Sequence, residues 1–348
     1  MEYIFYLTND CNLNCKYCYE GEKSKGIMNF EIIRDVMNKE CESQDNVSQI
    51  AFFGGEPLLQ EKMIYDTVNL GKELTQKTNH KFIYTITTNA TMITDEFVNF
   101  CKENSITVGL SIDGDKNVHN LNRIKRNGEG SFEQVIKNVK KCLKADLNPM
   151  ALPVVCLNNV KYLSESVKYL IKLGFKNITL NTNYTEAWDD DSISVMRKEY
   201  EKLANIYCDE YKKGNYINIY PLATKMYYGI HKNEKCSGSC NGSRIAINTD
   251  GKFYPCVQFV NDDRFVIGNY KDGIDKEKSD ELIKRRLSSK SVCEECALKR
   301  RCLYDCGCTR LSTTNDIVEV TPLICETERI FIEIADKIGN KLYQDFKC

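Results

Sequence analysis

Histidine is scarce in this chain, with three copies (His80, His119 and His231) in 348 residues, all of them away from its cysteine clusters. That scarcity argues against mixed cysteine–histidine zinc sites. Net charge is also nearly absent, at -1, so no electrostatic argument points to a nucleic-acid or anionic-membrane partner. No apolar run approaches the ~20 residues that cross a bilayer. The N-terminus, MEYIFYLTNDCNLNC, lacks the basic region, apolar core and cleavage site of a secretion signal, and the expectation is a cytoplasmic location. What is abundant is cysteine, at eighteen residues. In a reducing compartment clustered cysteines bind metal or do chemistry more often than they pair as disulfides. Thiolates without histidine suit iron–sulfur clusters or four-cysteine zinc.

Up to about residue 220 short apolar runs alternate with amphipathic stretches. EYIFYL (2–7), SQIAFF (48–53), KFIYTITT (81–88), ITVGLSI (106–112), PMALPVVCL (149–157) and NITLNT (177–182) read as strands. Helices are expected near 29–43, 61–77, after an N-cap at Thr94, and near 131–145, 160–173 and 194–213. Six strands alternating with helices imply parallel βαβ units with right-handed crossovers. The fold class expected is α/β, a partial (β/α)6 TIM-like barrel over residues 1–220, with function on the loops leaving the strand C-termini. Beyond residue 220 the alternation stops and cysteine density rises. RIAINTDGKFYPC (244–256) reads as a hairpin with an Asp-Gly turn, a short helix is expected near 278–288, and a terminal one over 323–343. Residues 221–348 are expected to form an irregular iron–sulfur module organised by its ligands.

The loop after the first strand reads Cys11-Asn-Leu-Asn-Cys15-Lys-Tyr-Cys18. Three thiolates on one loop leave one iron of a four-iron cubane open to a small molecule; a zinc site completed elsewhere is the competing reading. With Tyr17 before the last cysteine, the spacing resembles the radical S-adenosylmethionine superfamily. That resemblance implies that the open iron chelates the amino and carboxylate groups of S-adenosylmethionine, and that reduction releases a 5′-deoxyadenosyl radical. Gly54-Gly55-Glu56-Pro57, at the end of the second strand, is similar to the family's motif for the methionyl amino group. Glycine lets the backbone approach closely, and Glu56 offers an acceptor to an ammonium. Thr88 and Asn89 at the end of the third strand, and Ser111 and Asp113 at the end of the fourth, look like the family's polar contacts to ribose or carboxylate. Arg123 is similar to an arginine that pairs with the carboxylate, with Arg126 as the competing choice.

The C-terminal cysteines are Cys236, Cys240, Cys256, Cys293, Cys296, Cys302, Cys306 and Cys325. Their spacing, with Gly251 between Cys240 and Cys256, resembles the SPASM extension of this superfamily. The resemblance implies two auxiliary [4Fe–4S] clusters, the first on Cys236, Cys240, Cys256 and Cys306, the second on Cys293, Cys296, Cys302 and Cys325. With the catalytic cluster that makes three, against a rival reading of two structural zincs. Of the remaining cysteines, Cys41, Cys101, Cys142, Cys156 and Cys208 read as small buried residues, while Cys308 and Cys348 are less easily placed.

Enzymes with this extension act mostly on peptides and proteins. The expected activity is radical oxidative cross-linking of a ribosomally made peptide, for instance to a thioether. The alternative is anaerobic sulfatase maturation, oxidising a cysteine or serine to formylglycine. The maturing enzymes carry an aspartate after the cysteine matching Cys256, where this chain has Val257, and that departure favours cross-linking. The expected partners are a peptide or protein substrate and a flavodoxin or ferredoxin as electron donor; since the first strand begins at residue 2, either a separate leader-recognition protein presents the substrate or the barrel mouth reads it unaided. A non-enzymatic electron carrier is a third reading, which the cosubstrate motifs argue against.

Overall fold

Four of the apolar runs form adjacent parallel strands: β1 (Glu2–Thr8), β2 (Val47–Gly54), β3 (Lys81–Thr88) and β4 (Thr107–Leu110). Ile4 stands opposite Ala51, Ala51 opposite Thr85, and Ile86 opposite Val108. Phe5, Tyr6, Leu7 and Phe52 are wholly buried, as expected of parallel strands covered on both faces. A computed structural model of the chain describes residues 1–21, 23–43, 45–231, 234, 242–288, 291–303 and 306–345. The chain divides into two units, each drawn from three stretches of sequence. The first comprises Met1–Ser111, Arg123–Pro149 and Ser239–Lys284, and the second Ile112–Asn122, Met150–Gly238 and Arg285–Cys348.

In the first unit the helices Phe30–Glu40, Glu61–Thr78 and Asp95–Glu103 connect the strands. Thr94 caps the last of them, its hydroxyl accepting from Phe97 N at 3.0 Å, the N-cap expected from the sequence. The Asp-Gly hairpin also forms, Arg244–Ile247 pairing antiparallel with Lys252–Tyr254. Its first strand runs parallel to β1, Tyr3 opposite Ile245. β1 is thus an inner strand, held on both edges, and its C-terminal end is anchored before the cysteine loop begins.

In the second unit Met150–Ala151, Asn177–Thr179 and Asn218–Tyr220 run parallel. The expected strand 149–157 is broken into Met150–Ala151 and Val154–Val155. Pro153 sits in the break, and proline has no N–H to give to a ladder. Val154–Val155 pairs instead with Asn181–Thr182. The helix Asp190–Lys212 starts in a capping box between Asp189 and Ser192. It packs on the C-terminal helix Pro322–Asp345 through Tyr200 and Phe331, whose ring centroids lie 5.0 Å apart. Among the described residues no helix is long and apolar enough to cross a membrane.

Candidate functional site

At the end of β1, Thr8 fixes the turn into the cysteine loop. Its hydroxyl donates to Gly26 O at 2.8 Å and accepts from Asp10 N at 3.0 Å. Asp10 in turn accepts from Cys11 N at 2.9 Å and pairs with the Arg126 guanidinium. The GGEP segment locks onto the same turn, Gly55 N donating to Thr8 O and Glu56 N to Asp10 O, both at 2.8 Å. Both glycines are required here. Gly54 has φ of +122°, and a Cβ on it would stand 2.4 Å from Thr8 O, while one on Gly55 would stand 2.1 Å from Asp10 O.

Glu56 is wholly buried. Its Oε1 accepts from Leu58 N at 3.0 Å and from Thr88 Oγ1 at 2.6 Å, and its Oε2 from Asn89 N at 2.7 Å. Burial pushes its carboxyl up to about 7, against the pull of those three hydrogen bonds. Glu56 therefore ties the GGEP loop to the end of β3. Asn89 carries the connection on, its Nδ2 donating to Asn12 Oδ1 at 2.8 Å and reaching Cys11 Sγ at 3.7 Å. Leu13 N approaches the same sulfur at 3.5 Å, and Lys23 Nζ lies 2.8 Å from Cys18 Sγ. Burial nonetheless raises the Cys11 thiol above its ordinary range. The Arg123 guanidinium stands over the Tyr17 ring at 5.2 Å, whereas Arg126 is engaged by Asp10. Ser111 N donates to Thr88 O at 2.9 Å. The first unit thus gathers Cys11, Cys15, Cys18, Tyr17, Gly54, Gly55, Glu56, Thr88, Asn89, Ser111 and Arg123 around β-strand ends. Asp113 belongs to the second unit, where it is buried and accepts from Val154 N at 3.0 Å.

Cys256 lies buried just beyond the hairpin. The neighbouring Val257 carbonyl accepts from the buried Tyr6 hydroxyl at 2.9 Å, and that hydroxyl lies 3.5 Å from Tyr19 OH. The Glu20 carboxyl sits beside both hydroxyls, and burial raises it above its ordinary range. Tyr19 is within electrostatic reach of both Cys18 and Cys256. Tyr6, Tyr19 and Glu20 were not singled out by sequence reasoning. Tyr6 reads as one more apolar residue of a strand, and only the adjacency of Tyr19-Glu20 to Cys18 could have drawn attention to them.

In the second unit Cys293 is buried, Cys302 and Cys306 are half-buried, and Cys296 and Cys325 are exposed. Burial raises the Cys325 thiol, and the Cys293 and Cys296 charges raise it further. Cys306 Sγ lies 3.2 Å from Cys308 Sγ. Among the described residues these thiols do not close to the spacing of a single-ion site. Cys236 and Cys240 lie outside the described residues.

Three thiols on one loop, each of them free of disulfide and two approached by N–H donors, suit a cubane held by three thiolates. Comparison with known proteins agrees. The model of the radical SAM superfamily matches residues 5–170. The cysteine-type anaerobic sulfatase-maturating enzyme of Clostridium perfringens is 28% identical over an alignment 353 positions long that covers 94% of each chain. An uncharacterized protein of Methanocaldococcus jannaschii is 32% identical over 254 residues, 73% of this chain and 83% of its own. Among solved structures, native anSMEcpe with bound AdoMet and Cp18Cys peptide matches with a TM-score of 0.86 and 25% identity over 99% of both chains. Streptococcus suis SuiB bound to its precursor peptide SuiA shares the fold at a TM-score of 0.64 and 18% identity, over 93% of this chain and 75% of that one.

These comparisons correct one expectation. The sequence favours thioether cross-linking of a ribosomal peptide, because Val257 stands where the maturing enzymes carry an aspartate. The end-to-end likeness is instead to sulfatase-maturating enzymes, and one departing side chain does not outweigh it. Fold, cysteine loop and sequence relatives agree that the chain belongs to the radical SAM superfamily, whose members bind a [4Fe–4S] cluster and S-adenosylmethionine.

Proposed function

We propose that the protein is an anaerobic sulfatase-maturating enzyme that oxidises a cysteinyl residue of a peptide or protein substrate to formylglycine. The observation that carries this reading is mutual coverage of 94% with a cysteine-type enzyme of that name, supported by the likeness, over 99% of both chains, to a structure of anSMEcpe with a bound peptide.

When bound, the cluster and S-adenosylmethionine supply a hydrogen-abstracting 5′-deoxyadenosyl radical. Cys11, Cys15 and Cys18 are the ligands, leaving one iron for the cosubstrate. Gly54 and Gly55 let their loop close onto Thr8 and Asp10 and would present its backbone to the cosubstrate's amino group, Glu56 holds that loop to β3, and Thr88, Asn89, Ser111, Asp113 and Arg123 are the candidate polar contacts. Tyr17 carries Arg123 on its ring face. Residues 221–348 form the auxiliary-cluster portion. By the resemblance Cys236, Cys240, Cys256 and Cys306 would be one ligand set and Cys293, Cys296, Cys302 and Cys325 the other, and the clusters they held would accept electrons. The reaction removes a hydrogen atom from the substrate Cβ and one further electron and proton. Water then provides the aldehyde oxygen, and sulfur leaves as hydrogen sulfide. The reductant is an electron donor of the flavodoxin or ferredoxin class. Val257 cannot exchange a proton, and Tyr6, Tyr19 and Glu20 supply polar groups beside it.

The test is anaerobic incubation with S-adenosylmethionine, a reductant and a cysteine-containing sulfatase-type peptide, followed by mass spectrometry with an aldehyde-trapping reagent. Formylglycine in the cysteine peptide is expected. A thioether product, or an unchanged peptide beside consumed cosubstrate, would defeat the proposal.

A further inference from the structure

Two oppositely charged side chains in the second unit are buried where nothing in the motifs calls for them. Lys225, on the helix Leu222–Ile230, has no solvent exposure, and Glu328, on the C-terminal helix, has 6%. Lys225 Nζ lies 2.6 Å from Glu328 Oε2. Burying both ions costs more in lost hydration than their attraction commonly returns, so a buried pair is weak support for stability as such. Its other partners are more informative.

Lys225 Nζ also donates to Arg301 O at 2.8 Å, and Glu328 Oε2 also accepts from Leu303 N at 2.7 Å. Those are the backbone carbonyl before Cys302 and the backbone amide after it. The ion pair therefore grips the chain on both sides of one thiol. Glu328 follows Cys325 by three residues on the same helix, one turn along it. Arg301 closes the arrangement from the other direction, donating to Lys225 O at 2.8 Å and to Asp336 Oδ1 at 2.7 Å. Arg300 donates to the carbonyls of His231 and Glu234 just past the end of the Lys225 helix, each at 3.2 Å.

We infer that the Lys225–Glu328 ion pair is a positioning clip that sets Cys302 at a fixed spacing from Cys325, and so fixes the geometry of the auxiliary cluster on Cys293, Cys296, Cys302 and Cys325. This rests on the assignment of that cluster. A pair that merely joined two helices would have no reason to bond both peptide groups flanking a ligand. The clip fixes the backbone on both sides of Cys302, and a ligand held loosely alters the iron's coordination and exposure, hence its spectrum and potential.

The test compares anaerobically purified full-length protein with the double variant Lys225→Met/Glu328→Met. Replacing a buried pair by apolar side chains of similar volume is commonly tolerated, yet it releases Arg301 O and Leu303 N. Wild type should hold about twelve irons for three cubanes. The double variant should lose about four of them, or keep them with a changed electron paramagnetic resonance signal from one auxiliary cluster. Full iron and an unchanged signal would overturn the clip. Wild type with only about four irons would instead sink the auxiliary-cluster assignment, and the clip with it. Should the double variant not fold, Lys225→Met/Glu328→Gln keeps an acceptor for Leu303 N and releases only Arg301 O. A shifted signal is then expected, and an unchanged one would overturn the proposal.

Discussion

Glu56 is a wholly buried carboxyl, and its two oxygens serve a backbone amide of its own loop, a hydroxyl on β3 and the amide that follows β3. The folded chain holds its proton up to about pH 7, whereas an exposed carboxyl releases it near 4.5. Between those values the folded state binds more protons than the unfolded state, so stability falls as pH rises through the window. The loss approaches about 3 kcal/mol at 1.36 kcal/mol per pH unit. Denaturant unfolding from pH 5 to pH 8 should show this slope, and Glu56→Gln should flatten it. A slope unchanged in the variant would place the titration elsewhere. The sequence made Glu56, Thr88 and Asn89 conspicuous one by one, but not the bonds that join them across 32 and 33 residues. Pattern reading sees spacing along the chain, and these bonds depend on which strand lies beside which.

At the scale of elements, the site rests on one junction, where the end of β1 and the GGEP loop share hydrogen bonds. Gly55→Ala puts a methyl group 2.1 Å from the Asp10 carbonyl, a backbone atom that can move only by displacing the cysteine loop. Overpacking of this kind costs about 1–3 kcal/mol. The variant should fold, lose about four irons of the N-terminal cluster and form 5′-deoxyadenosine at least tenfold more slowly. Native iron content and rate would show that the junction does not position the loop. β3 forms over Lys81–Thr88, matching the sequence reading, because a β-branched, aromatic run bounded by breakers leaves little choice. Thr94 likewise announces its helix. Two features were not legible. Pro153 divides one expected strand into two that pair with different neighbours. Asn218–Tyr220 is only three residues long, too short to stand out where the sequence texture changes.

For the whole molecule, the α/β class was readable from the alternation of apolar runs with amphipathic stretches, and the superfamily because a short loop with three thiolates is a dense chemical signal. The reaction was not. Val257 weighed heavily because one position is all a motif comparison offers, whereas likeness over 94% of two chains sums hundreds of positions. The structure adds that the carbonyl of that same residue is bonded by Tyr6, with Tyr19 and Glu20 alongside, groups that come from β1 and the cysteine loop. If the protein matures a sulfatase cysteine, the hydrogen atom taken by the 5′-deoxyadenosyl radical comes from that cysteine's Cβ and the same carbon becomes the aldehyde. A sulfatase-type peptide carrying deuterium at that Cβ tests both at once. Deuterium is expected in the 5′-deoxyadenosine, with one formylglycine per labelled nucleoside, both lost when Cys11, Cys15 and Cys18 are replaced by alanine. Unlabelled 5′-deoxyadenosine beside modified peptide, or labelled nucleoside without aldehyde, would contradict it.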